Sequence, residues 1–269
     1  KHVIDDLGCW LMHRDLHITG GEPFLRKDFL ELVRYAKSQH NFCISANTSG
    51  VMITESILDK VIEAGFNGLI FSIDGVDGLH GKIRGNNKVF EQNLKTMEAL
   101  RHHMFVSIAT VIMEPNLDEF CRLIDFAIEV GAAGIGFQPL FQNFGADRDP
   151  EWFKKSPIWP KDPDHVVDVL DAIISRKESG APVLNSFAQL NLFKHYFHSP
   201  LEIHEYRCLV GETNLAISPY GDVRLCYQMD PVGNVTEAMP SEIWTNDTAA
   251  FRRDIINQCN RSCSIMNCN

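Results

Sequence analysis

The stretch Leu16–Phe24 reads LHITGGEPF, and it decides the fold class of this 269-residue chain. An apolar, β-branched run stops abruptly at two glycines, a carboxylate and a proline. Glycines at such a place let the backbone approach a ligand closely and expose its N–H groups. In parallel α/β folds, ligands bind at the carboxyl ends of the strands, where the loops converge. The stretch therefore predicts a ligand-binding loop at the end of a buried strand.

Strand-then-helix units recur from residue 16 to about residue 140. Further strands are predicted at 42–46, 69–73, 105–113 and 134–139, and helices at 28–39, 54–64, 89–101 and 118–130. A loop is predicted between the strand at 69–73 and the helix at 89–101, and PVLNS, 182–186, is predicted to be a last strand. The strands are nearly continuous apolar runs, which is typical of a parallel sheet covered on both faces. Regular alternation of this kind predicts an α/β domain, either barrel-like or doubly wound.

Composition and charge exclude two classes of protein. The formal net charge is −10, and no stretch is dense in lysine and arginine. Electrostatic capture of nucleic acid needs clustered cations, so we expect no nucleic-acid partner. No apolar run approaches the length of a membrane span and no signal-peptide pattern is present. We therefore expect a cytoplasmic protein without a membrane partner.

Polar residues and glycines follow successive predicted strands. Gly20, Gly21 and Glu22 end the first strand, Asn47 follows the second, and the third ends at Ser72 and Asp74. Taken singly, each has an ordinary explanation as turn chemistry. Their joint occurrence predicts a polar ligand lying across one edge of the sheet. Arg84, in HGKIRG, is a candidate partner for a carboxylate.

The C-terminal region has a different composition. Residues 214–226, NLAISPYGDVRLC, predict a β-hairpin, and five of the eight cysteines lie in the last 62 residues. Clustered cysteines in a large chain indicate a metal site. Spacing alone leaves a structural zinc site and an iron–sulfur cluster both open. The three earlier cysteines, Cys9, Cys43 and Cys121, stand among apolar residues and are predicted to be core residues.

The ordered set GGEP, NTSG, SIDG and HGKIRG resembles the radical S-adenosylmethionine (SAM) superfamily. The resemblance implies a partial (β/α)6 barrel over residues 1–204 and SAM as cofactor. It implies that the backbone of Gly20 and Gly21, with Glu22, binds the amino group of SAM. By position, ribose and carboxylate contacts fall to Asn47, Ser72, Asp74 and Arg84.

One feature of that family is missing from the sequence. Its hallmark is a CxxxCxxC loop after the first barrel strand, which binds a [4Fe–4S] cluster, and no such spacing occurs here. In the family GGEP follows the second strand. We therefore expect the first strand and its cluster loop to lie upstream of Lys1. The alternative is a degenerate member that never held the cluster.

The C-terminal region, residues 205–269, is similar to the SPASM/twitch extensions of radical SAM enzymes. These extensions hold auxiliary iron–sulfur clusters. Five cysteines are fewer than a full SPASM module uses, so the resemblance implies one auxiliary cluster of the twitch kind. The candidate ligands are Cys208, Cys226, Cys259, Cys263 and Cys268, with two or more of the last three taking part.

The resemblance implies a function as well. We expect an enzyme that cleaves SAM to a 5′-deoxyadenosyl radical and abstracts hydrogen from a small polar metabolite, with flavodoxin or ferredoxin as one-electron reductant. A maturase of a peptide or protein side chain is the first alternative, and a zinc-stabilised, non-catalytic binding protein is the second. The aromatic loop 141–159 and the polar residues Asn185, Gln189 and Asn191 are weaker candidates for the substrate pocket. The sequence assigns no catalytic residue.

Overall fold

The computed structural model describes residues 1–86, 88–142, 149–202 and 207–259. Residues 1–202 contain a five-stranded parallel sheet with the strands in chain order. The elements are α1 (His2–Trp10), β1 (Asp15–Ile18), α2 (Phe29–His40), β2 (Cys43–Thr48), α3 (Glu55–Ala64), β3 (Gly68–Ser72), α4 (Asp77–Arg84), α5 (Val89–Leu100), β4 (Phe105–Ile112), α6 (Phe120–Glu129), β5 (Gly134–Pro139), α7 (Trp152–Lys155), α8 (Pro163–Glu178) and α9 (Phe187–His198).

The strand order identifies the sheet as barrel-like and not doubly wound. Each strand pairs in parallel with its predecessor, from β1 to β5, without a reversal of direction across the sheet. A doubly wound sheet would contain a switch point at which the order reverses. Beyond β5, Val183 forms a single parallel bridge with Ile135, which is all that remains of the strand predicted at 182–186. The architecture is a partial (β/α) barrel.

The two faces of the sheet differ sharply. One face carries Ile44, Leu69, Phe71, Ile108 and Phe137, all fully buried against the helices. The opposite face, here called the inner face, carries mostly small or polar residues. In register across the strands, it consists of Asp15 and Cys43, then His17, Ser45, Gly68 and the exposed Phe105, then Asn47, Ile70, Ser107 and Gly134, then Ser72, Ala109 and Gly136.

The expectation of a sheet covered on both faces is therefore wrong. Burial alternates along β4, and the side chains of the inner face are half-buried or exposed. Strands of a partial barrel keep one face for an enclosed space, so only the helix-covered face contributes to the apolar core. The inner face is free to receive polar molecules.

The sequence prediction missed several helices, among them three of the barrel. Helix α1 precedes the first predicted strand, α4 replaces the loop predicted after β3, and α9 follows the single bridge at Val183. Gly81 is buried inside α4, and Gly85 ends that helix in the left-handed conformation. Tertiary packing outweighs the weak helix propensity of glycine at Gly81.

The aromatic loop after β5 packs down on the barrel, in the part of it that the structure describes. Trp159 is buried, and its ring lies 5.4 Å from that of Trp152 and 5.0 Å from that of Phe197. Asn185 is also buried, where it exchanges two hydrogen bonds with the backbone of Phe137. These residues hold the connection in place. None of the described helices is long and apolar enough to cross a bilayer.

Residues 207–259 form a second module with its own core. It contains α10 (Val210–Thr213), β6 (Ala216–Ile217), β7 (Asp222–Arg224), β8 (Gly233–Asn234), α11 (Pro240–Thr245) and α12 (Asp247–Asn257). Strands β6, β7 and β8 form a small antiparallel sheet, of which β6 and β7 are the expected hairpin. Val223, Leu225 and Ile243 are at the centre of its apolar cluster. The proposed domain boundary at 204/205 lies outside the described residues.

Candidate active site

The carboxylate of Glu22 ties the loop after β1 to the loop after β2. One oxygen accepts hydrogen bonds from Phe24 N–H and the Thr48 hydroxyl, and the other from the N–H and the hydroxyl of Ser49. Because a carboxylate offers about four acceptor sites, this one is fully used by the protein. Glu22 therefore fixes the shape of the edge that Gly20 and Gly21 occupy.

Gly20 and Gly21 form an open stretch of backbone beside Glu22. A Cβ built on either residue would meet no atom within 4 Å. Within the described ranges, neither amide N–H donates a hydrogen bond. Gly20 has φ of +137°, a conformation that side chains of L-residues rarely adopt. The loop thus presents free N–H and C=O groups to a space large enough for a ligand.

Asn47 and Ser72 extend this edge onto β2 and β3. The side-chain oxygen of Asn47 is buried and has no hydrogen-bond partner in the part of the chain that the structure describes. A buried acceptor without a partner is costly, and such atoms in native proteins point to a bound group. Ser72 lies on the inner face of the next strand, two residues beyond Ile70, the register partner of Asn47.

Asp74 and Arg84 form an ion pair at the third strand end. The Arg84 guanidinium lies 2.5 Å from one carboxylate oxygen of Asp74, which is 1% exposed. The other oxygen accepts hydrogen bonds from Val111 N–H and the Thr110 hydroxyl. The carboxylate of Asp74 is thus engaged within the protein, whereas Arg84 is partly exposed and retains further N–H donors.

His80 lies behind this pair. Its Nδ1 accepts a hydrogen bond from Asp74 N–H at 3.3 Å, and its Nε2 has no partner among the described residues. Burial lowers the pKa of His80 to about 4, against the weaker opposing effect of Asp74. The ring is therefore neutral at pH 7, with the proton on Nε2.

A second polar cluster lies lower on the inner face. His17 Nδ1 is 2.9 Å from the Ser45 hydroxyl on the neighbouring strand. Burial of the ring lowers the pKa of His17. The pKa of the Cys43 thiol is raised, first by desolvation from the surrounding atoms and then by its hydrogen bond to Asp15. Strand alternation in LHITGG could have found His17, because it shares a face with Thr19 and not with the apolar Leu16 and Ile18.

The structure places three of the five candidate cysteine ligands. Cys208, Cys226 and Cys259 are half-buried, and the first two pack against the apolar cluster of the second module. The described residues contain no group of three or more candidate metal ligands in close contact. Cys263 and Cys268 lie outside the described residues, so the structure shows only part of the candidate ligand set.

The prediction that the three earlier cysteines are core residues is wrong for two of them. Cys9 and Cys43 are exposed, and Cys121 is half-buried. Cys9 lies on the outer surface of α1, and Cys43 is on the inner face of β2. For Cys43, the apolar sequence neighbours were misleading, because alternate positions of a strand point to opposite faces of the sheet.

Two family models match this chain. The radical SAM superfamily model matches residues 2–127, and the model of the SPASM iron–sulfur cluster-binding domain matches residues 208–269. Together they cover more than two thirds of the sequence. The chain belongs to the radical SAM superfamily. It is a radical SAM enzyme of the SPASM subgroup, with SAM and iron–sulfur clusters as its cofactors.

Relatives of known activity differ in what they make. An AdoMet-dependent heme synthase of Methanosarcina barkeri is 28% identical over 266 residues, which are 94% of this chain and 74% of the synthase. The mycofactocin maturase MftC of Mycolicibacterium smegmatis is 30% identical over 135 residues, 49% of this chain and 34% of the maturase. The structure of anSMEcpe with bound AdoMet and the Cp18Cys peptide aligns with a TM-score of 0.66 at 15% identity, covering 97% of this chain and 75% of that one.

The residues at the strand ends fit SAM. Gly20 and Gly21 offer free backbone groups and open space, and Asn47 offers a buried acceptor that lacks a partner. In the second module, half-buried thiols on an apolar cluster suit an iron–sulfur cluster, and the SPASM match favours this over the zinc site that spacing left open.

Proposed function

We propose that this radical SAM enzyme takes a hydrogen atom from a small polar metabolite held against the inner face. The observation that carries the proposal is the open edge at Gly20, Gly21 and Asn47, which lies directly above a polar, small-residue face. When bound, SAM and a reduced [4Fe–4S] cluster supply the 5′-deoxyadenosyl radical that removes the hydrogen. The protein supplies orientation and the exclusion of water.

Each residue at the edge has a proposed role towards SAM. The backbone of Gly20 and Gly21 holds the methionine end, and the negative charge of Glu22 favours the amino group nearby. Arg84, anchored by Asp74, directs its remaining donors to the carboxylate. Asn47 and Ser72 contact the ribose. Asp74 thus acts through Arg84, because its own oxygens are engaged by Arg84, Thr110 and Val111.

The inner face supports a small-molecule substrate. Below the SAM edge, Asp15, His17 and Ser45 offer one carboxylate, one neutral imidazole and one hydroxyl. Glycine, serine and alanine beside them leave space in front of the sheet. Of the two relatives compared by sequence above, the heme synthase matches 94% of this chain and makes a small molecule, whereas the maturase matches 49% of it. Both facts favour a metabolite over a peptide.

The second module belongs to the same reaction. We propose one auxiliary cluster of the twitch kind, held by Cys208, Cys226 and two or more of Cys259, Cys263 and Cys268. A flavodoxin or a ferredoxin is the proposed electron donor to the enzyme.

The test is substrate-dependent formation of 5′-deoxyadenosine by the intact, anaerobically reconstituted protein. SAM and reduced flavodoxin are supplied, together with ultrafiltered cell extract below about 1 kDa, a tryptic peptide pool, or heme as a tetrapyrrole probe. We expect only the low-mass fraction to raise 5′-deoxyadenosine formation, by about tenfold or more. Stimulation by the peptide pool alone would identify a maturase. Absence of 5′-deoxyadenosine even with dithionite would overturn radical chemistry altogether.

A further inference from the structure

Helix α1 touches both parts of the molecule. It lies against α2, where Asp5 accepts hydrogen bonds from the Tyr35 hydroxyl at 2.7 Å and from His40 Nε2 at 2.8 Å. Helix α2 in turn follows the GGEP loop closely, and the ring of Phe24 packs edge-on against Phe29 at 5.1 Å. The position of α1 is therefore linked to the SAM-binding edge.

The opposite side of α1 lies against α11 of the second module. The Asp6 carboxylate accepts a hydrogen bond from Ser241 N–H at 2.9 Å and another from the Ser241 hydroxyl at 2.7 Å. Ser241 is the second residue of α11, where backbone N–H groups lack partners within the helix. One turn further along each helix, the rings of Trp10 and Trp244 lie 5.7 Å apart.

From Trp244 the contacts continue to the cysteine-bearing segment. The Arg253 guanidinium stacks on the Trp244 ring at 4.2 Å and donates hydrogen bonds to the carbonyls of Trp244 and Gly211. Gly211 lies in α10, three residues after the candidate ligand Cys208. Packed rings and hydrogen bonds thus form a continuous path from α1 to that cysteine.

The second module also contacts the barrel at β6. Leu215 and Ile217, at β6, pack against the apolar clusters of both parts. Apolar contact at one place fixes little orientation, because hydrophobic attraction is not directional. A second, polar contact at a distance from the first sets the angle between the two bodies.

From these contacts we infer that α1 fixes the position of the auxiliary-cluster module relative to the SAM-binding edge. Asp6 and Trp10 are its positioning residues. This role goes beyond the proposed function and does not depend on the nature of the substrate. Small displacements of reacting groups cost rate heavily, so the relative position of the two modules matters to the reaction.

The test compares Asp6→Ala, Asp6→Asn, Trp10→Ala and Trp10→Phe in the intact, reconstituted protein. Cys9→Ser is the matched control, because Cys9 is an exposed residue of the same helix. Hydrogen exchange followed by mass spectrometry reports residues 207–259 and the barrel strands separately. We expect about tenfold faster exchange in 207–259 for both alanine variants, unchanged exchange in β2, β3 and β4, and partial rescue by asparagine and phenylalanine.

A spectroscopic readout separates positioning from mere stabilisation. The power saturation of the auxiliary-cluster EPR signal in fully reduced protein depends on its distance from the second paramagnetic cluster. We expect Asp6→Ala and Trp10→Ala to change this saturation, and Cys9→Ser to leave it unchanged. Wild-type exchange and saturation in both alanine variants would overturn the inference, as would an equal rise of exchange throughout the chain.

Discussion

Glu22 and Ser49 are joined by two hydrogen bonds, of 2.8 Å from the serine N–H and 2.5 Å from its hydroxyl, both to the same carboxylate oxygen. The first strand end of the barrel is thereby fixed to the second. In the proposed SAM site, Glu22 contributes both this connection and a negative charge. A single substitution can remove the charge while keeping the size of the side chain.

Glu22→Gln is expected to weaken SAM binding by about tenfold or more, because it removes the negative charge beside the amino group of SAM and sets an amide group against the N–H and hydroxyl donors of Ser49. Calorimetric titration of SAM into the reconstituted protein measures the effect. Glu31→Gln is the control, because Glu31 is an exposed residue of α2 that pairs only with Lys1 among the described residues. Unchanged SAM affinity in Glu22→Gln would limit Glu22 to the architecture of the loop.

Gly20→Ala and Gly21→Ala distinguish two effects of an added methyl group. One is strain in the backbone, and the other is loss of the space proposed for SAM. Both methyl groups would enter the open space proposed for SAM, so both variants should lose SAM affinity. Of the two, only Gly20 has a positive φ, so only Gly20→Ala should also lower the free energy of unfolding, by about 1–3 kcal/mol. Urea denaturation without SAM, together with SAM titration, checks both expectations. Full SAM affinity in Gly21→Ala would place the cofactor elsewhere.

His80 should make stability depend on pH. Its pKa is lowered to about 4 in the folded protein, so the unfolded chain binds the proton more readily. The stabilisation is complete above the ordinary histidine pKa of about 6.5 and is lost as the pH falls towards 4. Between pH 7 and pH 4.5 the wild type should lose about 2–3 kcal/mol more of its free energy of unfolding than His80→Gln. Parallel pH profiles of the two proteins would contradict this.

Cys208→Ser and Cys226→Ser should each reduce the iron content of the reconstituted protein and its visible charge-transfer absorbance. Cys9→Ser should leave both unchanged, because Cys9 is exposed on α1, in the part of the chain matched by the radical SAM model. Iron analysis and absorbance spectra of the three variants give the comparison. Wild-type iron in the first two variants would remove those thiols from the ligand set.

The sequence allowed the barrel to be predicted because each strand of the sheet is a short apolar run followed by a polar edge. Helix α1 was missed, since HVIDDLGCW contains acidic residues and a glycine that obscure its apolar stripe. That stripe includes Val3, Ile4 and Leu7, which pack on the barrel core. The strand predicted at 182–186 reduces to one bridge, because Asn185 turns inward to satisfy the backbone of Phe137.

The sequence predicted which residues lie together at the edge of the sheet, but not the hydrogen bonds and the ion pair that connect them. Motif order placed Glu22, Asn47, Ser72 and Asp74 at one edge of the sheet. The engagement of Glu22 with Ser49, and of Asp74 with Arg84, depends on distances across strands that no linear pattern contains. His17 was overlooked because its polar character was hidden inside an apolar run.

The division of the sheet into a helix-covered face and a small, polar inner face has an evolutionary consequence. Side chains such as Ser45 and Ser107 contribute little to the apolar core, which rests on Phe71, Ile108 and their neighbours on the other face. Inner-face positions can therefore be exchanged with little loss of stability. New substrates become accessible through mutation there while the scaffold and its SAM edge persist, so one barrel can diversify into enzymes of different specificity.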